Sequence, residues 1–233
     1  MISVVVPVYN EERSVALLLD ELRSTLEGIG ADWEAVFVDD GSTDATFGAL
    51  TRLHAETEGV KVVRLRRNFG KSAALAAGFG HANGEVIVTI DSDLQDDPAE
   101  IPHLLAKLEE GFDLVSGWKA KRRDPVTRRA FSRVFNAGVG LVSGVHLHDM
   151  NCGLKAYRAS VVRGLPLYGE LHRFLPVLAH QRGYRIAELP VNHRSRAHGR
   201  SRYGVERGLQ LLIEQGHAPL LVVDGHDDGD HGG

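Results

Sequence analysis

The first half of the chain alternates between two hydrophobic patterns. Continuous apolar runs, as expected for strands buried on both faces, occupy positions 2–6, 33–38, 60–65 and 85–90. Between them, apolar residues recur three or four positions apart, and the clearest helical face carries Val15, Leu18, Leu19, Leu22 and Leu26. The order predicts a β-α-β-α-β-α-β unit. Its long connections favour right-handed crossovers and a mainly parallel sheet with helices on both faces.

The second half of the chain is less regular. Its apolar runs predict strands at positions 112–116, 152–158 and 184–191, and its helical patterns lie at 128–142, 170–182 and 205–215. The end of the chain is rich in glycine, aspartate and histidine, a composition typical of a flexible tail. We therefore expect one α/β domain followed by a flexible tail.

Prolines, glycines and capping residues set the expected boundaries of these elements. Pro7 is expected to end the first strand, and Gly28 and Gly30 to end the first helix. Pro176 is expected to interrupt the helix at 170–182. Asp97-Pro98-Ala99-Glu100 has the form of an N-cap, a first-turn proline and a capping-box glutamate, so a helix should begin directly after the fourth strand.

Composition and charge narrow the class of protein. A chain of 233 residues with 43% hydrophobic and 25% charged residues is ordinary for a globular domain. Its single cysteine, Cys152, excludes an internal disulfide and fits a reducing compartment. No secretory signal and no apolar run of roughly 18 residues is visible, so a cytoplasmic location is expected. The net charge is −4, yet basic residues crowd positions 119–133 and 194–207, which predicts local anion sites and no nucleic-acid binding.

Acidic and amide side chains follow the fourth strand. Asp91, Asp93 and Gln95 are two positions apart, so an extended segment would direct them to the same side. Carboxylate and amide oxygens suit Mg²⁺ or Mn²⁺ and are poor ligands for zinc. The alternative interpretation is an acidic turn that is simply solvated. A strand end that hands over to a helix is the usual ligand-binding edge of an open α/β sheet, which favours a metal site.

Two other polar loops are expected at the same edge. They follow the first and second strands and comprise Pro7-Val8-Tyr9-Asn10-Glu11 and Asp39-Asp40. Because the carboxyl ends of parallel strands share one edge, these loops should converge on Asp91-Ser92-Asp93. An aromatic ring beside carboxylates that accept from base N–H and ribose O–H groups would form a nucleoside pocket, next to a metal that neutralises a diphosphate. The alternative is three unrelated capped turns.

Several motifs together resemble those of family 2 glycosyltransferases, and more narrowly the polyprenyl-phosphate branch that includes dolichol-phosphate mannose synthase. In chain order they are Pro7-Val8-Tyr9-Asn10-Glu11, Val38-Asp39-Asp40-Gly41-Ser42-Thr43-Asp44, Arg67-Asn68-Phe69-Gly70-Lys71, Asp91-Ser92-Asp93-Leu94-Gln95-Asp96, Asp149-Met150-Asn151-Cys152-Gly153-Leu154-Lys155 and Arg196-Ala197-His198-Gly199-Arg200-Ser201-Arg202-Tyr203. The resemblance covers about residues 1–207. It implies a GT-A (Rossmann-like) fold over residues 1–215, with a nucleotide-sugar-binding half (1–117), an irregular acceptor-side half (118–215) and a flexible tail (216–233).

The same resemblance implies roles for individual residues. The residues implied in donor binding are Pro7, Tyr9, Glu11, Val38, Asp40, Asp91, Ser92, Asp93, Arg196 and Arg202. Those implied in metal binding are Asp93 and Gln95, and those implied in receiving the acceptor phosphate are Arg128 and Ser132. The family usually has lysine where Arg202 stands, and a guanidinium has a different donor geometry.

The resemblance implies an inverting, metal-dependent transfer of a hexose, glucose or mannose, from UDP or GDP to polyprenyl phosphate. A phosphate monoester is already anionic near neutrality, so the reaction needs positioning more than a base. Asp93, Arg128 and Asp149 are the expected catalytic residues, and the enzyme would contact the inner face of the cell membrane peripherally or through a membrane-protein partner. The alternative is a soluble family 2 enzyme with a hydroxyl acceptor and Asp149 as base. A catalytically silent nucleotide-sugar-binding subunit and a nucleotidyltransferase are less well supported, since the metal-site residues are present and no Gly-rich loop follows strand one.

Overall fold

A seven-stranded sheet forms the centre of the described structure, a computed structural model that covers residues 1–119, 144–145 and 147–194. The described residues belong to one compact unit, Met1–His198. Its strands are β1 (Ile2–Val8), β2 (Trp33–Asp39), β3 (Val60–Arg64), β4 (Val86–Thr89), β5 (Leu114–Lys119), β6 (Lys155–Arg158) and β7 (Ile186–Val191). Its α-helices are α1 (Val15–Ile29), α2 (Thr46–Glu56), α3 (Lys71–His81), α4 (Ile101–Glu109), α5 (Ala159–Val162) and α6 (Leu175–Gln181). Two 3₁₀ turns, Pro98–Glu100 and Leu171–Phe174, precede α4 and α6.

The spatial order of the strands is β3-β2-β1-β4-β6-β5-β7. β1 pairs in parallel with β2 and β4, β2 with β3, and β5 with β7. β6 lies antiparallel between β4 and β5. The sheet is therefore mainly parallel, as the sequence predicts, and the carboxyl ends of β1, β2 and β4 meet at one edge.

Helices cover both faces of the sheet, which explains why β1 is a continuous apolar run. Val4 and Val6 of β1 pack in one core with α1, α2 and α4, where Leu22 and Leu104 are fully buried. Val5 belongs to the other core, formed with α3, α5 and α6. Successive residues of a strand point to opposite faces, so apolar cores on both sides require apolar residues at every position.

The expected boundary at Pro7 is wrong, because β1 continues to Val8. Its pairing with β4 ends at Val5, while its pairing with β2 runs on through Pro7 and Val8. Val5 presents its carbonyl to the β4 side, where it accepts from Ile90 N at 3.3 Å. Pro7 lies two positions later and its backbone faces the same side, beyond the end of the pairing with β4. Its missing N–H therefore leaves no hydrogen bond between strands unmade.

Other boundaries also differ from expectation. Gly28 lies inside α1, and Gly30 alone ends this helix in the left-handed conformation (φ 72°). Pro176 stands in the first turn of α6, where its missing N–H costs nothing, so it begins the helix instead of interrupting it. The remaining predictions, the helices at 128–142 and 205–215 and the tail at 216–233, lie outside the described residues. In the part of the chain that the structure describes, no helix is long and apolar enough to cross a membrane.

Candidate active site

The loops after β1 and β2 are joined by hydrogen bonds. Asn10 N donates to Ser42 Oγ at 2.9 Å, and Asn10 Oδ1 accepts from Thr43 N at 2.7 Å. Asn10 has a positive φ of 55°, which asparagine tolerates better than most residues. Glu11 N donates to Thr46 Oγ1 at 2.8 Å. The first two polar loops therefore form one rigid unit, as the convergence hypothesis requires.

Asp40 connects this unit to a third loop, which precedes α3. Its carboxylate accepts from Phe69 N at 2.7 Å and from Gly70 N at 2.9 Å. Burial raises the pKa of Asp40, although the two backbone donors counteract part of that effect. Gly41 is required for the close approach, because it has a φ of 68° and a Cβ there would lie 2.4 Å from the carbonyl carbon of Arg67. Asp40, predicted to bind nucleoside, thus holds a loop in place with both oxygens.

The third loop leads to α3, whose first residue reaches the loop after β4. Lys71 Nζ donates to Asp91 Oδ1 in a partly buried ion pair. Asp91 also lies against Gly153, where a Cβ would stand 2.4 Å from Asp91 Oδ2. Thr89 Oγ1 donates to Gly153 O at 2.8 Å and fixes that approach. A continuous set of contacts therefore links Asn10, at the end of β1, to Asp91, at the end of β4.

The segment after Asp91 does not remain extended, so the spacing argument for Asp93 and Gln95 is wrong. The chain turns at positions 92–94, and Leu94 has a positive φ of 62°. Asp93 Oδ1 accepts from Gln95 N at 3.2 Å, which closes the turn. Leu94 is buried, and the burial of its side chain in the core with Ile101 and Leu104 accounts for the turn. The turn keeps Asp93 and Gln95 adjacent by folding rather than by strand periodicity.

The donor set fits a hard divalent cation of the kind the sequence predicts. Among the described residues, no group of three or more His, Cys, Asp or Glu side chains is arranged to hold a metal. Mg²⁺ bound to a nucleotide usually takes only one or two carboxylates from the protein, and phosphates and waters complete its shell. One carboxylate and one neighbouring amide oxygen, from Asp93 and Gln95, are compatible with that pattern.

A buried ionic cluster fixes the end of this loop. Asp96 Oδ1 lies 3.2 Å from Lys119 Nζ and 3.4 Å from His193 Nδ1. Burial alone would raise the pKa of Asp96, but His193 and Lys119 together lower it to about 2. Asp97 caps the following 3₁₀ turn by accepting from Ala99 N at 3.1 Å, as predicted. The predicted capping box is wrong at Glu100, because its carboxylate accepts instead from Asn192 Nδ2 at 2.6 Å.

A narrow cleft adjoins the Lys71–Asp91 ion pair. The lining residues are Lys71, Leu75, Thr89, Met150, Asn151, Cys152, Gly153, Lys155, Tyr157, His172, Arg173 and Leu175. Ser72 Oγ lies 2.9 Å from His172 Nδ1. Burial and the charges of Lys71, Arg173 and Lys155 lower the pKa of His172 to about 2, so its ring is neutral at physiological pH. Three basic side chains, Lys71, Lys155 and Arg173, therefore line the cleft.

Asp149, the predicted base, is fully buried. Its backbone N donates to Glu188 Oε1 at 2.8 Å, and its Oδ1 accepts from Asn151 N at 3.1 Å. These contacts hold the turn that carries Asn151 and Cys152 to the cleft. These contacts give Asp149 a bracing role in the structure, while its role as base stays a prediction.

The other predicted site residues divide into three groups. Tyr9, Glu11 and Ser92 lie in the loops at the carboxyl edge, where the sequence places them. Val38 is fully buried in the core beside α3, so its side chain is not available to a nucleoside and only its main chain remains. Those outside the described residues are Arg128, Ser132, Arg196 and Arg202.

Sequence reasoning misses several residues that the fold brings to this site. Lys71 and Gly153 belong to the motifs above but have no predicted role of their own, yet both contact Asp91. His172 approaches from a segment 100 positions away from its partner Ser72. Lys155 gives a usable signal, because a lysine within a short apolar strand is rarely buried without a reason.

The sheet order, the helices on both faces and the polar loops at the carboxyl edge define a GT-A fold. The fold is shared with glucosyl-3-phosphoglycerate synthase from Mycobacterium tuberculosis in complex with Mn²⁺, UDP and phosphoglyceric acid (TM-score 0.71, 24% identity, 94% of this chain and 79% of that one). A second complex of that enzyme, with Mn²⁺ and UDP-glucose, superimposes with a TM-score of 0.66 at 26% identity, over 92% of this chain and 77% of the other.

The sequence places the chain more narrowly. The profile of Glycosyl transferase family 2 matches residues 3–165, and the chain belongs to this family. It is 41% identical over 219 residues to dodecaprenyl-phosphate galacturonate synthase of Rhizobium johnstonii (91% of this chain, 64% of the relative). It is 40% identical over 216 residues to undecaprenyl-phosphate 4-deoxy-4-formamido-L-arabinose transferase of Pseudomonas paraeruginosa (92% and 63%). The chain thus spans a little under two thirds of the length of these relatives.

Proposed function

We propose that this protein is an inverting glycosyltransferase that moves a sugar from a nucleotide diphosphate to polyprenyl phosphate. The observation that carries the proposal is the continuous set of contacts from Asn10 through Asp40 and Lys71 to Asp91. It assembles four loops at one sheet edge, where a nucleotide-sugar can be held across them. Two relatives at about 40% identity bear names that specify a polyprenyl-phosphate substrate, which supports the same acceptor class here.

The donor is proposed to bind along this edge with Tyr9, Glu11 and Asp91, and Asp93 and Gln95 would hold Mg²⁺ or Mn²⁺. When bound, the cation would neutralise charge that develops on the leaving diphosphate. Solved complexes of the family's fold that contain Mn²⁺ with UDP or UDP-glucose support a divalent ion and favour a uridine nucleotide over GDP. The two relatives are named for galacturonate and formamido-arabinose, so glucose and mannose stay predictions that these names do not support.

The acceptor chemistry follows from the charge of a phosphate monoester. Its second pKa is about 6, so the attacking oxygen is already an anion near neutrality and no protein base is required. Asp149 suits this scheme, because it is fully buried, its backbone N–H donates to the carboxylate of Glu188, and its own carboxylate accepts from Asn151 N. In this proposal, catalysis rests on alignment of the acceptor oxygen opposite the diphosphate, with Arg128 and Ser132 receiving the phosphate. The proposed reaction takes place at a membrane surface, since its acceptor is a lipid.

The decisive experiment is a donor panel of UDP- and GDP-sugars with Mn²⁺ and undecaprenyl phosphate, scored for a glycosylated lipid product. Asp93→Asn should lower turnover roughly 100-fold or more, because loss of the cation removes several kcal/mol of transition-state stabilisation. Asp20→Asn is the matched control, since Asp20 is an exposed residue of α1. Full turnover of Asp93→Asn would refute the metal role.

The acceptor is tested separately. Arg128→Ala should reduce transfer to undecaprenyl phosphate and raise the apparent KM for that lipid, while Arg52→Ala, an exposed arginine of α2, should have no effect. Donor hydrolysis with water as acceptor should survive in Arg128→Ala. Transfer to a sugar hydroxyl but not to the lipid, with loss of that activity in Asp149→Asn, would support the alternative function.

A further inference from the structure

The chain crosses, after β7, to the loop that carries the proposed cation ligands. The pairing of β7 with β5 stops at the last residue of β7. The residues that follow run antiparallel to the loop, with His193 opposite Asp96. Arg194 N donates to Gln95 O at 2.8 Å. Residues 192–194, the bridging segment, therefore contact this loop directly, outside the regular pairing of the sheet.

Each residue of the bridging segment meets one acidic side chain from positions 96–100. The three pairs are Asn192 Nδ2 with Glu100 Oε1 at 2.6 Å, His193 Nδ1 with Asp96 Oδ1 at 3.4 Å, and Arg194 Nη2 with Asp97 Oδ1 at 2.7 Å. Three consecutive pairs fix the register of the segment against the loop. As a result, the backbone N–H of Arg194 is the one that meets the carbonyl of Gln95.

The guanidinium of Arg194 joins this contact to α1. Its Nη1 lies 2.9 Å and 2.8 Å from the two carboxylate oxygens of Glu21, while Nη2 binds Asp97. Isolated surface ion pairs contribute little to stability, but a planar guanidinium that meets two carboxylates at once forms a small network with a defined geometry. The opposite face of α1 is buried in the core. Arg194 therefore ties the bridging segment to a firmly packed helix.

Both backbone groups of Gln95 are hydrogen-bonded as a result. Its N–H donates to Asp93 Oδ1 at 3.2 Å, and its carbonyl accepts from Arg194 N. Loss of a group that orients a metal ligand typically lowers the affinity for the metal by roughly 10- to 100-fold. The contact with Arg194 thus bears on how firmly Gln95 is held beside Asp93.

We propose that Arg194 is a positioning residue for the divalent-cation site, which it serves without touching the cation. By binding Glu21 and Asp97 it fixes the bridging segment, and the backbone of that segment then holds Gln95. The inference rests on the proposed function, in which Asp93 and Gln95 bind Mg²⁺ or Mn²⁺. A segment that only closed the edge of the sheet would stabilise the fold without changing the affinity for a cation.

The test measures the affinity of the full chain for UDP by calorimetry, first without Mn²⁺ and then over a series of Mn²⁺ concentrations. In the wild-type protein, Mn²⁺ should increase the affinity for UDP, and the midpoint of this increase reports the affinity for the cation. Arg194→Gln should raise the midpoint roughly 10-fold, the lower end of the range for orienting groups, because the backbone N–H at this position remains. The affinity for UDP without Mn²⁺ should not change.

A conservative variant and a partner variant sharpen this test. Arg194→Lys should raise the midpoint less than Arg194→Gln, because an ammonium keeps the charge but lacks the planar donors that reach two carboxylates. Glu21→Gln removes the partner on α1 and should shift the midpoint in the same direction. The double variant should be little worse than Arg194→Gln alone, since both changes break one interaction.

Arg158→Gln is the matched control. Arg158 also donates to a backbone carbonyl and to a carboxylate, those of Leu108 and Glu109, and its side chain is similarly exposed. It pairs with the first residue of β4, at the edge of the sheet opposite the site. Arg158→Gln should therefore lose about as much thermal stability as Arg194→Gln and keep the wild-type Mn²⁺ midpoint.

Several outcomes would overturn the inference. An unchanged Mn²⁺ midpoint in folded Arg194→Gln would do so, as would an equal shift in Arg158→Gln. An equal loss of UDP affinity with and without Mn²⁺ would show that the contact only supports the fold. If Arg194→Gln does not fold, Glu21→Gln decides the question, and an unchanged midpoint in that variant would count against the proposal.

The failure of this inference can be told apart from that of the proposed function. Asp93→Asn should abolish the increase in UDP affinity that Mn²⁺ causes. If it does and Arg194→Gln keeps the wild-type midpoint, the cation site stands and only the positioning role fails. If Asp93→Asn keeps the increase, or the wild-type protein shows none, the cation site and the inference fail together. No lipid is present, so the result does not depend on transfer to polyprenyl phosphate.

Discussion

Gly153→Ala is the sharpest perturbation that the structure offers, because it adds one methyl group to the wall behind Asp91. That methyl carbon would lie 2.4 Å from Oδ2, 2.5 Å from Cγ and 2.8 Å from Oδ1 of Asp91. Ordinary van der Waals contact begins at 3.4 Å, so the carboxylate has to retreat by roughly 1 Å. The retreat would displace the carboxylate that forms the ion pair with Lys71.

The expected effects on folding and on catalysis differ in size. Overpacking costs about 1–3 kcal/mol, and the value here should lie at the low end because the atoms that must move end a side chain. A domain with about 5–15 kcal/mol of stability survives that loss. A misplacement of about 1 Å in an active site can cost on the order of 100-fold in rate. We therefore expect a folded enzyme with turnover reduced about 100-fold.

The assay pairs thermal unfolding with turnover on undecaprenyl phosphate. Gly48→Ala in α2 is the matched control, since a Cβ there meets nothing within 4 Å. It should keep full activity and gain up to about 1 kcal/mol from helix propensity. Full turnover of a correctly folded Gly153→Ala enzyme would refute the idea that the position of Asp91 matters. If the loss of activity matched the unfolded fraction and activity returned on cooling, the effect would be due to folding alone.

Two further predictions concern buried titratable groups. Asp96 has a pKa lowered to about 2 in the folded protein. The stability that its ionised carboxylate contributes is therefore fully present above its unfolded pKa of about 3.9 and is lost as pH falls through 2. Asp96→Asn should therefore lower the free energy of unfolding at pH 7 by on the order of 2 kcal/mol and flatten its decline between pH 4 and 2, as checked by urea titrations; a parallel decline in wild type and variant would contradict this. Burial raises the pKa of the Cys152 thiol to about 12, so the folded protein should resist iodoacetamide at pH 8 and react only in urea, as followed by mass spectrometry; rapid labelling of the native protein would contradict its burial.

Local sequence determined the elements and the loops that carry chemistry. β-branched runs buried on both faces can only be central strands of a covered sheet, so the alternating first half defines the parallel half of the fold. The apolar face of α1 was readable residue by residue, and each of its predicted positions is buried. Because the carboxyl ends of parallel strands share one edge of the sheet, the sequence also predicted that Asn10, Asp40 and Asp91 lie on one side of the molecule.

Tertiary structure decided what each of those residues does. The carboxylate of Asp40 accepts hydrogen bonds from the backbone N–H groups of Phe69 and Gly70. These partners lie 29 and 30 positions away, and no local sequence pattern indicates them. The segment after Asp91 turns because Leu94 is drawn into the core, which overrides the alternation expected of a strand. Pro7 could continue β1 only because β4 ends early on its side.

The cleft shows the same division most clearly. Lys71, Lys155 and His172 come from three segments, and no local sequence pattern indicates that these three side chains meet. Periodicity reports which side of an element faces the core, because that depends on neighbours three or four positions away. Which charged side chains meet inside the protein depends on packing between elements far apart in the chain, so only the folded structure could set it.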